Sequence, residues 1–107
     1  MSNERLKGMI GLAIKAGKAL SGSFAVEGAV RRGRARLVLI DGRASAATIR
    51  QFQSLCTNHG VKCVVMQDSG VLEDLLRRDN RTLMAIMDNH FATAIYELSN
   101  NNQGVQQ

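Results

Sequence analysis

Apolar residues near the N-terminus share one helical face: Leu6, Met9, Ile10, Ala13 and Ile14 recur at the spacing of an α-helix. Gly17 stands where such a helix would stop. Beyond "KALSG", short enough to be an edge strand, helical spacing resumes with Val26, Ala29 and Val30, and Gly33 is a second stop. "ARLVLID" is a continuous apolar, β-branched run of the kind found in strands buried on both faces. Ser45 is placed to cap a helix carrying Ile49, Phe52, Leu55 and Cys56, which "NHG" ends at Gly60. "KCVVM" predicts a second buried strand. Asp68 or Ser69 can then cap a short helix bearing Val71, Leu72, Leu75 and Leu76. "TLMAIMD" predicts a third buried strand, and "NHFATAIYEL" a last helix with Phe91, Ile95 and Leu98 on one side. Residues 99–107, "SNNNQGVQQ", hold too little apolar surface to order themselves and read as a flexible polar tail.

Strands that alternate with helices and are apolar throughout need cover on both faces. The pattern therefore predicts an α/β fold, a three-layer α/β/α sandwich with about four strands. No repeat divides the chain and it contains no proline, so residues 1–98 read as one domain. A length of 107 residues suits one domain with a real core. Hydrophobic content of 45% and charged content of 21% are ordinary globular values. No apolar run approaches the roughly 18–20 residues that span a bilayer. The first residues, with acidic Glu4 and no long apolar core, read as a helix and not a signal peptide. Cys56 and Cys63 lack metal-ligand spacing and fit two buried, reduced thiols, so the expected compartment is the cytoplasm and the expected state a monomer.

Charge changes the picture. The formal net charge is +5, yet residues 1–36 alone carry eight basic groups against two acidic ones. Residues 37–107 carry six basic and seven acidic. A surplus confined to one third of a domain suggests a side that faces a polyanion, although a solvated basic face would look the same.

Candidate chemistry is thin. "GLAIKAGKA" departs from the phosphate-binding P-loop: five residues separate its glycines, Ala19 replaces the hydroxyl residue, and no buried strand precedes it. No G-x-G-x-x-G follows a strand, so dinucleotide binding is unsupported. Asp41 and Asp88 end buried strands, where aspartate ordinarily makes a turn or caps the next helix. His59 and His90 lack the partners of a catalytic triad, and no cluster spaced for a metal is visible. The sequence predicts no catalysis, no metal and no cofactor.

What remains is "KAGKALSGSFAVEGAVRRGRAR". Gly22 and Ser23 put small residues and free amides at a helix N-terminus, where the dipole favours anions. Lys15 and Lys18 lie upstream, and Arg31, Arg32, Arg34 and Arg36 follow. That breadth suits the phosphates of an extended polymer better than one nucleotide. With only Phe24, Phe52, Phe91 and Tyr96 aromatic, an open base-stacking sheet is not expected.

The same residues carry a resemblance. "GLAIKAGKALSGSFAVEGAVRRGRARLVLIDGRAS", then "HGVKCVVM" and "RTLMAIMDNHFATAI", resemble the YlxQ-type bacterial RNA-binding proteins, within the ribosomal-protein family of the seven-Ae and thirty-e kind that binds kink-turns in RNA. The likeness covers residues 5–97. It implies a mixed sheet of about four strands, no catalysis, and RNA as partner. The family's second helix opens on a pattern like Gly-Thr-Asn-Glu-x-x-Lys, whose polar side chains grip sheared G·A pairs. Here Gly22 matches and Ser23 takes the threonine place, but Phe24, Ala25 and Gly28 stand at the asparagine, glutamate and lysine places. The loop before the last strand, "RRDNRT", implies a second contact through Arg78, Asn80, Arg81 and Thr82.

The expected RNA-binding set is thus Lys15, Lys18, Ser21, Gly22, Ser23, Phe24, Arg31, Arg32, Arg34, Arg81 and Thr82 on one edge of the sandwich. The expected function is that of a small RNA-binding protein associated with the ribosome or another ribonucleoprotein. The competing expectation is a protein–protein adaptor that keeps the fold without specific RNA recognition.

Overall fold

A computed structural model describes residues 2–67 and 82–102. Within these residues four helices, α1 (Ser2–Lys15), α2 (Ser23–Arg31), α3 (Ala46–Asn58) and α4 (Asn89–Asn102), accompany four strands, β1 (Ala19–Ser21), β2 (Leu37–Asp41), β3 (Lys62–Met66) and β4 (Leu83–Ile86). The strands form one mixed sheet in the order β1-β4-β2-β3. β4 lies antiparallel to both β1 and β2, while β2 and β3 run parallel, joined across α3. "KALSG" does supply the edge strand.

Side-chain alternation along the strands builds two cores. Leu37, Leu39, Val64, Met66, Met84 and Ile86 face α1 and α4, where Leu6, Ile10, Ala13 and Ile95 meet them. Val38, Ile40, Leu83 and Ala85 face α2 and α3, against Val26, Val30, Phe52 and Cys56. This is why β2 and β4 are apolar at nearly every position: each residue is buried on one side or the other. The expected three-layer sandwich is the fold.

Helix ends follow local chemistry. Ser45 caps α3, its Oγ accepting the Thr48 amide at 3.1 Å. Asp88 caps α4, its carboxylate accepting the Phe91 amide at 3.0 Å. Asp41, fully buried at the end of β2, makes the following turn by accepting the Arg43 amide at 2.8 Å. Both aspartates are thus engaged in turn and cap.

Two boundaries differ from expectation. Ile14 is not a core residue; the inward stripe of α1 is Leu6, Ile10 and Ala13, and Ile14 is 39% exposed. The last helix continues beyond Leu98 to Asn102. Ser99 inside it is buried, and its hydroxyl donates to the Tyr96 carbonyl at 2.8 Å, so a polar residue adds an ordered turn. The short helix expected around Val71–Leu76 lies outside the described residues.

Cys63 departs from expectation as well. Cys56 is fully buried, but Cys63 is only half-buried; neither forms a disulfide. A hydrogen bond shared with Cys56, reinforced by burial, holds the Cys63 thiol well above the ordinary thiol range. Its thiolate, the reactive form, is therefore scarce until the pH rises far above neutral. Cys63 should react with maleimide at neutral pH more slowly than a free thiol, and native-state labelling as fast as in denaturant would contradict this pairing. Replacing Asp88 with alanine removes the α4 cap and should cost about 1 kcal/mol, read as a fall in Tm of about 4–8 °C.

Candidate nucleic-acid interface

Where β1 ends, the chain turns into α2 through Gly22. Its φ of 100° and ψ of 145° lie where residues with a Cβ are strained. The Gly22 amide donates to the Leu83 carbonyl at 3.0 Å, and its own carbonyl accepts from Val26 at 2.9 Å. No side chain caps this helix, and its first turn holds no acidic residue. The amides of Ser23, Phe24 and Ala25, which helix geometry leaves without intrahelical acceptors, thus open outward under the positive end of the dipole.

Phe24 stands on that first turn with 92% of its surface exposed. Phe52 is buried and Phe91 and Tyr96 are half-buried. Among the described residues Phe24 is therefore the one exposed aromatic ring. Thr82, before β4, sits beside this turn. Its carbonyl accepts the Asp41 amide at 2.8 Å, and the neighbouring Leu83 carbonyl holds Gly22. Arg43 belongs to the same end of the sheet, its guanidinium 3.1 Å from the Asp41 carboxylate.

The remaining predicted residues do not join this group. Arg31 pairs with Glu27 at 2.9 Å on the surface of α2. Arg32 follows at the C-terminal cap of α2. Lys15 is exposed in the last turn of α1. Lys18 and Arg34 lie at the opposite end of β1, around a cleft they share with Arg36. Ser21 is half-buried in β1 opposite Met84, which places it on the α1 and α4 side. Arg81 is outside the described residues. One predicted edge is in fact two separate ends. Arg36 was not among the predicted site residues, because the cleft it lines forms only when α2 has returned along the sheet.

The chain is 30% identical over 90 residues to the RNA-binding protein YlxQ of Bacillus subtilis, which spans 84% of this chain and 90% of that protein. It belongs to the YlxQ family. No family profile matches the sequence. A Bacillus halodurans protein described as of unknown function has the same fold, with a TM-score of 0.81 at 22% identity, over 89% of this chain and 96% of that one. The Giardia lamblia 15.5kD RNA binding protein superposes with a TM-score of 0.61 at 19% identity, over 94% of this chain and 85% of that one. Those two likenesses concern the fold.

In this YlxQ-family chain the space beside Gly28 is filled from the next turn. The Arg32 guanidinium folds back over Gly28, its Nη1 2.7 Å from where a Cβ at that position would be. A glycine there makes room for a cation arriving from the next turn. Because the Phe24 ring is exposed, Phe24→Ala should change stability by less than about 0.5 kcal/mol, measured by denaturant unfolding. A larger loss would mean that the ring packs on the protein.

Proposed function

We propose that this chain is a non-catalytic RNA-binding protein of the cytoplasm, working on the ribosome or another ribonucleoprotein, and that it grips RNA with the N-terminal turn of α2. The observation that carries the reading is the fully exposed Phe24 on an uncapped helix start that holds no acid. The open amides suit phosphate oxygens. A base can stack on the ring, worth about 1–3 kcal/mol per base and indifferent to which base it is. Gly22 lets the backbone approach the RNA, Ser23 offers a hydroxyl, and Thr82, with Arg81 next to it in the sequence, supplies a second lip. The relative's printed name, an RNA-binding protein, supports the same reading.

Stacking without the asparagine, glutamate and lysine side chains has a consequence. Nothing at this turn leaves a buried polar group unmatched when G·A pairs are absent, so the mismatch penalty of about 1–3 kcal/mol per group is not imposed. Gel-shift titration on a kink-turn RNA, and on the same RNA with its G·A pairs mutated, should show discrimination of about tenfold or less, below the full penalty. Phe24→Ala should weaken binding to both RNAs by about 1–3 kcal/mol. Tight, G·A-dependent binding would show that the kink is read without these side chains. Failure to bind either RNA would leave the adaptor reading.

A further inference from the structure

The second basic group, at the far end of β1, has its own geometry. α1, α2 and α3 end in the same motif: the amide two residues past each helix cap bonds back five positions, Lys18 to Ala13, Arg34 to Ala29 and Val61 to Cys56. The preceding glycines, Gly17, Gly33 and Gly60, take φ values of 73°, 74° and 69°. The residue at this position commonly makes a hydrophobic contact with the helix it closes. Val61 does so, packing against the core. In α1 and α2 the place is held by cations, Lys18 and Arg34, and both are exposed.

Between these two helix ends lies a cleft of about 450 Å³ walled by Lys18, Arg34 and Arg36. Its remaining surface is apolar or bare backbone: Leu20, 40% exposed, Met87, and the two glycines. Among the described residues no carboxylate lines it. Lys18 and Arg34 make no side-chain hydrogen bond or ion pair among the described residues, and Arg36 makes one long bond, to the Gly33 carbonyl at 3.3 Å. The simplest alternative is that these cations balance the helix dipoles. Each C-terminus carries only about half a negative charge, and its carbonyls at Ala13, Ile14, Ala29 and Val30 already accept backbone bonds. Six cations, Lys15, Lys18, Arg31, Arg32, Arg34 and Arg36, surround those two ends, and Glu27 offsets one of them. A clear positive surplus remains. The neighbouring cleft beyond Arg36 lacks this character, since Glu97 lines it and Lys62 is engaged over the Tyr96 ring at 5.0 Å.

We propose that the cleft between the C-terminal ends of α1 and α2 holds one nucleotide unit of a single RNA strand, its phosphate on Lys18, Arg34 and Arg36 and its base over Leu20 and Met87. The volume suits a small ligand and not a duplex. The site is separate from the Phe24 turn, at the other end of β1, whose three residues span about 10 Å at ordinary strand rise. RNA gripped at that turn reaches the cleft only if its strand continues past the structured part. The proposal rests on the RNA-binding reading above and adds a second contact to it.

The test compares a kink-turn hairpin with the same hairpin carrying a single-stranded extension at either end, titrated across salt concentrations. The variants are Lys18→Gln/Arg34→Gln/Arg36→Gln and Phe24→Ala. On an extended RNA the triple variant should bind more weakly, with a log K against log salt slope shallower by about 2, at about 0.7 for each single-strand phosphate contact. On the bare hairpin it should match the unmodified protein, whereas Phe24→Ala should weaken both. The double variant Lys18→Gln/Arg34→Gln leaves the Arg36 bond intact and should show the same selectivity with a smaller slope change, which guards against a folding defect. Equal loss on both RNAs, or none on the extended ones, overturns the proposal while leaving RNA binding at Phe24 standing. If the unmodified protein binds no RNA, the function reading fails and the cleft proposal with it. Saturable binding of AMP alone, seen as shifts of the Leu20 and Met87 methyl resonances, would make the cleft a free-nucleotide pocket and overturn the strand assignment.

Discussion

β4 is four residues long and the last strand among the described residues, yet both candidate ends of the sheet are fastened to it. It inserts between β1 and β2, antiparallel to both, and its side chains alternate into the two cores. At one end, the Leu83 carbonyl takes the Gly22 amide and the Thr82 carbonyl takes the Asp41 amide. At the other, the Ile86 carbonyl takes the Arg36 amide, and the Met87 amide donates to the Lys18 carbonyl. The start of α2, the buried Asp41 turn and two cations of the far cleft are thus set by backbone bonds to one short strand. Such bonds add about 0.5–1.5 kcal/mol each when made and cost more when left unmade in a dry interior. That asymmetry fixes the spacing between the two ends.

α2 connects those ends and presents both as positive for different reasons. Its N-terminus is positive through the dipole and through amides that no side chain covers. Its C-terminus would be negative, but the closing motif satisfies the carbonyls and basic side chains outweigh the residual charge. On the proposed reading, a nine-residue helix with both ends attractive to anions matches an extended anion. The same arrangement explains why Arg31 alone is paired within α2: Glu27 is the only carboxylate in the helix.

Asp41, Asp88, His59 and the cysteines all have structural roles. Asp41 and Asp88 hold backbone amides. The His59 ring nitrogen meets the Leu55 carbonyl at 3.0 Å. Cys56 sits in a core with Cys63 packed against it.

Layers, strands and stops were legible in the sequence because they depend on local physics. Apolar runs of β-branched residues must be covered on both faces, glycines admit the left-handed turn that closes a helix, and Ser45 and Asp88 cap from adjacent positions. The basic surplus and the Gly22–Ser23 helix start were legible in the same way. The arrangement of that charge was not. Along the chain, Lys18 and Ser23 are five residues apart and look like one site. The extended conformation of β1 carries them to opposite ends of the sheet, and the return of α2 brings Arg34 and Arg36 beside Lys18 instead. Ile14 likewise had the right spacing for the core but sits on the partly exposed flank of α1. Phe24 had two possible fates, buried ring or exposed ring, and no local signal separates them. The tertiary structure decided it, because the inward face of α2 is already filled by Val26, Ala29 and Val30, leaving the first turn's ring to the solvent.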